Sequence, residues 1–233
     1  MRLRRSFFGF AVLIACLVGI KLLIQSAPGA FRSTSQAAVF AWPMILALAL
    51  LGGLGVWLSD KIGLPGLWDE RVPLRQRLFL PLLVGSGCGL LAILVDWKTG
   101  WAAALASALK VPSIHVPFPT SLPIYLGGAI IVDIIYYLVP IPLVVWLVSN
   151  VLLKGGHRTT VFWIVAVLAA SVEPVTQDLI HPHFGAGTVA LLVTSDLLEN
   201  LAQVYFFWRA GFGAAVLVRV ALYLLWHVLW PLI

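Results

Sequence analysis

The sequence predicts an all-α fold, a polytopic transmembrane bundle of about seven spans. Three observations predict it: 61% of the 233 residues are apolar, 10% are charged, and the mean hydropathy is +1.03. Soluble domains average about 45–50% apolar and about 25% charged residues. A globule of this size has too little interior to hide so much apolar surface, so a lipid bilayer must cover the excess. The length suits one membrane domain, residues 1–233.

Seven runs approach the ~20 apolar residues that a bilayer core demands: 7–25, 38–58, 78–96, 122–139, 160–180, 185–207 and 212–232. The first follows Met1-Arg2-Leu3-Arg4-Arg5 and looks like a signal peptide. No small-x-small site follows it, because Gln25 precedes Ala27 by two and Pro28 precedes Ala30, so an uncleaved span is expected. The connection at 59–77, with Gly63-Leu64-Pro65-Gly66-Leu67, reads as a turn-rich loop. After the third run, Trp101 to Leu109 reads as a short interfacial helix, and Val116-Pro117-Phe118-Pro119 returns the chain to the membrane. Residues 140–153 form a further apolar stretch opening on Pro140-Ile141-Pro142; the prolines predict a kink or break inside one long element, 122–153, that crosses once.

Charge orients the bundle. With a cytoplasmic N-terminus, Arg2, Arg4, Arg5, Lys61, Arg71, Arg75, Arg77, Lys154, Arg158 and Arg209 fall inside, against Arg32, Lys98 and Lys110 outside. This follows the positive-inside bias of a plasma membrane of bacterial type, with the C-terminus outside. The net charge of +6 therefore belongs to loops that orient helices, and nucleic acid is not an expected partner. Cys16 and Cys88 each sit inside an apolar run, which excludes a disulfide framework.

Ionisable groups inside spans point to function, since a charge at mid-bilayer costs about 2.5–3.5 kcal/mol on insertion scales. Asp133, Glu173, Asp196, Glu199 and Arg219 all fall in the last four spans. Helical spacing places Asp133 with Tyr137, Glu173 with Gln177, and Arg219 with Tyr223 and His227 on common faces. Asp196, Glu199, Asn200 and Gln203 form a polar stripe.

Two stretches carry a resemblance. Gly127-Gly128-Ala129-Ile130-Ile131-Val132-Asp133-Ile134-Ile135-Tyr136-Tyr137 resembles the Glu-Glu-x-x-x-Arg helix of the CPBP intramembrane metalloproteases, the family of the type II CAAX prenyl endopeptidases and the Abi bacteriocin-immunity proteins. The segment from Arg209 to Arg219 resembles the approach to that family's final His-x-x-x-Asn/Asp motif. The likeness covers residues 120–230 and implies a CPBP-like core there. In the family the motif glutamate activates a water, and histidines in later spans hold or position a metal and substrate. Carried over, the glutamate pair falls on Val132 and Asp133, the arginine on Tyr137, the final histidine on Arg219 and its Asn/Asp partner on Tyr223. His227 looks like an extra histidine of some relatives. The middle Phe-x-x-x-His motif belongs in 160–180, which has no histidine; Glu173 and Gln177 are its nearest polar occupants.

The substitutions bear on chemistry. A catalytic zinc usually has three protein ligands and an open position, and a guanidinium repels a cation. Arg219 is therefore expected to stand where the cation is lost and to pair with Asp133 or Glu173. Three readings follow. The first is a CPBP-like protein with an eroded protease site that binds or scaffolds membrane-protein or peptide partners. The second is an active peptidase with Asp133 as base and a divalent metal, of the magnesium or manganese class, on Glu173, Asp196, Glu199 and His227. The third is a small transporter or channel subunit whose carboxylates carry protons or cations. His181-Pro182-His183 reads as a polar turn rather than a metal site.

Overall fold

The computed structural model describes residues 2–31, 35–177 and 184–233. Among these residues there is helix and connection but no strand. In chain order the helices are α1 (Arg2–Ser26), α2 (Trp42–Lys61), α3 (Arg75–Thr99), α4 (Trp101–Ala108), α5 (Ser121–Leu152), α6 (Arg158–Gln177), α7 (Ala186–Ala210) and α8 (Phe212–Leu232). Six of them, α1, α2, α3, α5, α6 and α8, are long and apolar enough to cross a membrane. Leu46, Leu50, Leu83, Leu90 and Leu168 present large apolar side chains on the outside, as a lipid bilayer environment requires. The sequence predicts about seven such spans. The run at 185–207 does form a helix, α7, but its polar stripe keeps it out of the six.

α8 is the centre of the bundle. Of its most apolar stretch 56% is buried, against 17% for α1, and α3, α5 and α7 pack around it. α6 fills the space beside α7 and α5, while α1 and α2 form a pair against α5. Small residues let α3 approach α8 closely: a Cβ on Gly85 would stand 2.2 Å from the Val218 carbonyl oxygen, and one on Gly89 3.0 Å from the Leu225 Cβ. This small-residue spacing draws α3 against α8 beside Arg219.

Prolines shape the helices without breaking them. The π-helical turns Arg75–Phe79, Ile134–Leu138 and Leu224–Leu229 each end two residues before a proline, namely Pro81, Pro140 and Pro231. A proline offers no N–H and crowds the carbonyl a turn earlier, and a widened turn absorbs both defects. The one long element expected over 122–153 is therefore present: α5 runs through Pro140-Ile141-Pro142 as one 32-residue helix, with Val139 N–H reaching back to the Ile134 carbonyl (3.1 Å). Pro142 has no N–H for the Leu138 carbonyl, and that oxygen instead faces Gly55 of α2, where an added Cβ would lie 2.2 Å away.

The connections also hold the site. Gly100, at φ +62, closes α3 and opens α4. Asp96 clamps this corner, accepting the Ala102 N–H on Oδ1 (3.1 Å) and the Trp230 indole N–H on Oδ2 (2.9 Å). At the other end Gly211, at φ +92, turns α7 into α8 against the Gly66 carbonyl. There the Gly213 N–H donates to Leu67 (3.0 Å), whose own N–H donates to Ser6 (3.2 Å). Arg71 pairs with Asp69, Arg5 with Glu70, and the Arg71 guanidinium holds the Asp69 carboxyl below the usual carboxylate range.

Candidate functional site

α5, α6, α7 and α8 each carry their polar stripe into one buried cluster. At its centre lies Arg219, 2% exposed. Its Nε donates to Asp133 Oδ1 (2.7 Å) and to Gln203 Oε1 (3.2 Å). Its two terminal nitrogens make a fork on Glu173, Nη1 to Oε1 at 3.1 Å and Nη2 to Oε2 at 2.8 Å. Nη1 also reaches Tyr223 Oη (3.2 Å), and Nη2 reaches Asn200 Oδ1 (3.0 Å) and Tyr137 Oη (3.4 Å). Glu199 stands further off, 3.8 Å from Nη1. Bidentate carboxylate pairing and a full set of acceptors for its N–H groups are what a buried guanidinium needs to offset its desolvation.

Behind Arg219 the acceptors are themselves tied. Tyr137 Oη donates to Asn200 Oδ1 (2.7 Å), Asn200 Nδ2 donates to the Ala170 carbonyl (3.1 Å), and Gln203 Nε2 donates to Glu199 Oε1 (2.8 Å). Asp133 Oδ2 alone in this group is buried without a partner. Asn200 and Gln203, visible in the sequence as part of the α7 stripe, thus join the cluster as the groups that share Arg219 with the acids.

A cavity of about 210 Å³ adjoins the cluster beneath α4. Glu173, Gln177, Asp196, Glu199, Arg219, Tyr223 and His227 line it, whereas Asp133, Tyr137, Asn200 and Gln203 are not among its lining residues. Gln177 sits at its exposed edge, its amide 3.5 Å from Glu173 Oε1. The lining also holds aromatic rings, Trp101 of α4 and Trp226 of α8, with centroids 5.3 Å apart.

His227 belongs to a second arrangement that spacing did not reveal. Its Nδ1 lies 3.1 Å from Nδ1 of His115, in the connection between α4 and α5, so one ring must donate and the other accept. His227 stacks on Tyr125 (centroids 4.1 Å), and Tyr125 Oη accepts the Val116 N–H (3.0 Å). Burial holds the His115 imidazole below its usual range, against a smaller upward pull from Asp96. His115 and Tyr125 are more than 100 and 90 residues from His227 in the chain, and only the fold brings them together.

Among the described residues no group of three His, Cys, Asp or Glu side chains is placed to hold a metal ion. The carboxylates expected to form a metal set instead face Arg219 or the cavity. His181-Pro182-His183 lies outside the described residues. Protein-family models, curated proteins and solved structures yield no match to this chain.

Proposed function

We propose that this chain is a CPBP-like membrane protein in which an eroded protease site has become a charge-paired binding site, serving a ligand-binding or scaffolding role. One observation carries the reading. Arg219 occupies the focus of Asp133, Glu173 and Glu199, supplying internally the positive charge that a metal would otherwise bring. A guanidinium remains protonated under all ordinary conditions, so it takes the place of a metal ion between Asp133 and Glu173, its two close carboxylate partners. Tyr137 and Tyr223, where the resemblance calls for arginine and Asn/Asp, bond to Arg219 and complete the paired cluster.

The same reading gives the bundle seven crossings, with α7 as the seventh. At 1.5 Å per residue its 25 residues extend about 37 Å, more than the ~30 Å hydrocarbon core. Glu199, Asn200 and Gln203 turn to Arg219, and Leu191, Leu198 and Tyr205 turn outward. α5 crosses once, the N-terminus is cytoplasmic and the C-terminus lies outside. A reporter fused after Ile233 that is active only in the cytoplasm would overturn this orientation.

Elemental analysis of the purified chain, with peptide hydrolysis assayed in parallel, tests the function. The expected result is no stoichiometric divalent metal and no metal-dependent turnover. One equivalent of metal that disappears in Asp133→Asn, together with hydrolysis, would establish the peptidase instead.

A further inference from the structure

The cavity beneath α4 has two unlike kinds of lining. The carboxylates Glu173, Glu199 and Asp196 line it together with the rings of Trp101, Trp226, Tyr223 and His227. Among the described lining residues Arg219 is the one Lys or Arg side chain, and its closest carboxylate contacts are Asp133 (2.7 Å) and Glu173 (2.8 Å), with Glu199 further off at 3.8 Å. Acid therefore outnumbers base along this surface, and an anionic occupant would meet like charge. A neutral apolar occupant would face Glu199 and add nothing to its two partners, the Gln203 amide at 2.8 Å and the Arg219 guanidinium at 3.8 Å.

We propose that this cavity takes a small organic monocation, a quaternary or protonated amine, with its charge toward Glu199 and its alkyl groups against Trp101 and Trp226. The inference rests on the binding role proposed above and names the class of ligand. The chemistry is complementary on both sides: a diffuse cation is attracted to aromatic faces and to carboxylates together, and it sheds its hydration more readily than a metal ion does. The cavity volume of about 210 Å³ admits such a molecule and excludes a polymer. Trp226 also carries an indole N–H buried without a hydrogen-bond partner, a donor for a hydroxyl oxygen on the ligand.

The test uses the full chain in nanodiscs and three probes of one shape. They are choline, its neutral carbon isostere with a tert-butyl group in place of trimethylammonium, and tert-butylacetate as the anion. Tryptophan fluorescence and calorimetry read binding. Choline is expected to saturate and to bind at least about tenfold more tightly than the neutral isostere, a difference of about 1.4 kcal/mol, with no binding of the anion. Glu199→Gln should reduce choline to the affinity of the neutral isostere and leave the isostere itself unchanged. Trp101→Leu, on the short helix at the cavity edge and outside the Arg219 cluster, should weaken choline about fivefold or more even if Glu199→Gln folds poorly. Equal or tighter binding of the neutral or anionic probe overturns the cation assignment while leaving a binding cavity in place. No binding of any probe overturns the ligand class altogether. Metal content of the same sample reports separately on the eroded protease site.

Discussion

Replacing Arg219 by methionine keeps a chain of similar length and removes only the guanidinium. The structure sets the size of the effect. Arg219 is 2% exposed and is the partner of Asp133, which is fully buried, and of Glu173, 8% exposed. Breaking a buried pair from one side typically costs about 3–5 kcal/mol, because the remaining charge stays buried without its partner. Here two acids lose their partner at once, and the expected loss lies at the upper end of that range, about 5 kcal/mol. Removing one orphaned charge as well should return part of it. Arg219→Met with Asp133→Asn is expected to recover about 1–3 kcal/mol relative to Arg219→Met alone, while Asp133→Asn in the native background destabilises. Equilibrium unfolding in mixed micelles reads all four corners of this cycle. A double variant no more stable than Arg219→Met would refute the pairing as the organising interaction of the core.

Four further outcomes follow from contacts elsewhere. Gly85→Ala drives a Cβ to 2.2 Å from the Val218 carbonyl and should destabilise by about 1–3 kcal/mol or abolish folding. Gly87→Ala meets nothing within 4 Å and should melt like the native chain in the same thermal scan. Asp96→Ala frees both the Ala102 amide and the Trp230 indole and should cost about 1–3 kcal/mol, with faster hydrogen exchange confined to α4 and the end of α8. The His115–His227 contact should open in acid. His115 is held below its ordinary pKa of 6.5, so the neutral ring is the one the fold favours. The stabilisation is complete above 6.5 and is lost as the pH falls through the lower folded value. His227 on α8, Trp226 beside it and Asp96 at the end of α3 are the groups that face or influence His115, and Asp96 opposes the shift. Exchange of the Val116 amide against pH reads the opening, and a profile identical in His227→Phe would refute it.

The spans were legible because lipid imposes a length and a composition that no soluble helix shares; α1, α2, α3, α6 and α8 lie where the apolar runs place them. The convergence of Glu173, Glu199 and Arg219 was legible for a related reason. A charge inside a span must be turned away from lipid, so stripes on neighbouring helices have few directions in which to point. Other features were not. The single element at 122–153 was read from its apolar run, but not the π-turn that carries α5 past Pro140, nor the seating of the freed Leu138 carbonyl against Gly55 of another helix. His115, Tyr125 and Trp101 come from connections or from a span's start, and no periodicity links them to His227 and Trp226. Pairings of that kind are set by where loops land, which composition does not encode. α7 shows a third limit: the polar stripe that makes it part of the site also lowers its apolarity below that of the six other long helices.

Asp96 ties two things that the chain keeps far apart, the first turn of α4 and the tail of α8. Because α4 covers the cavity and α8 carries Arg219, the end of α8 and the cover of the cavity share Asp96 as an anchor, beside the Trp101–Trp226 contact. Anything that pulls on the segment after Trp230, whether a fused tag, a docked neighbour or a shift in membrane thickness, is thereby transmitted to the doorway. Conversely, a molecule lodged beneath α4 would steady the carboxyl-terminal end, making that terminus a natural place to listen for occupancy.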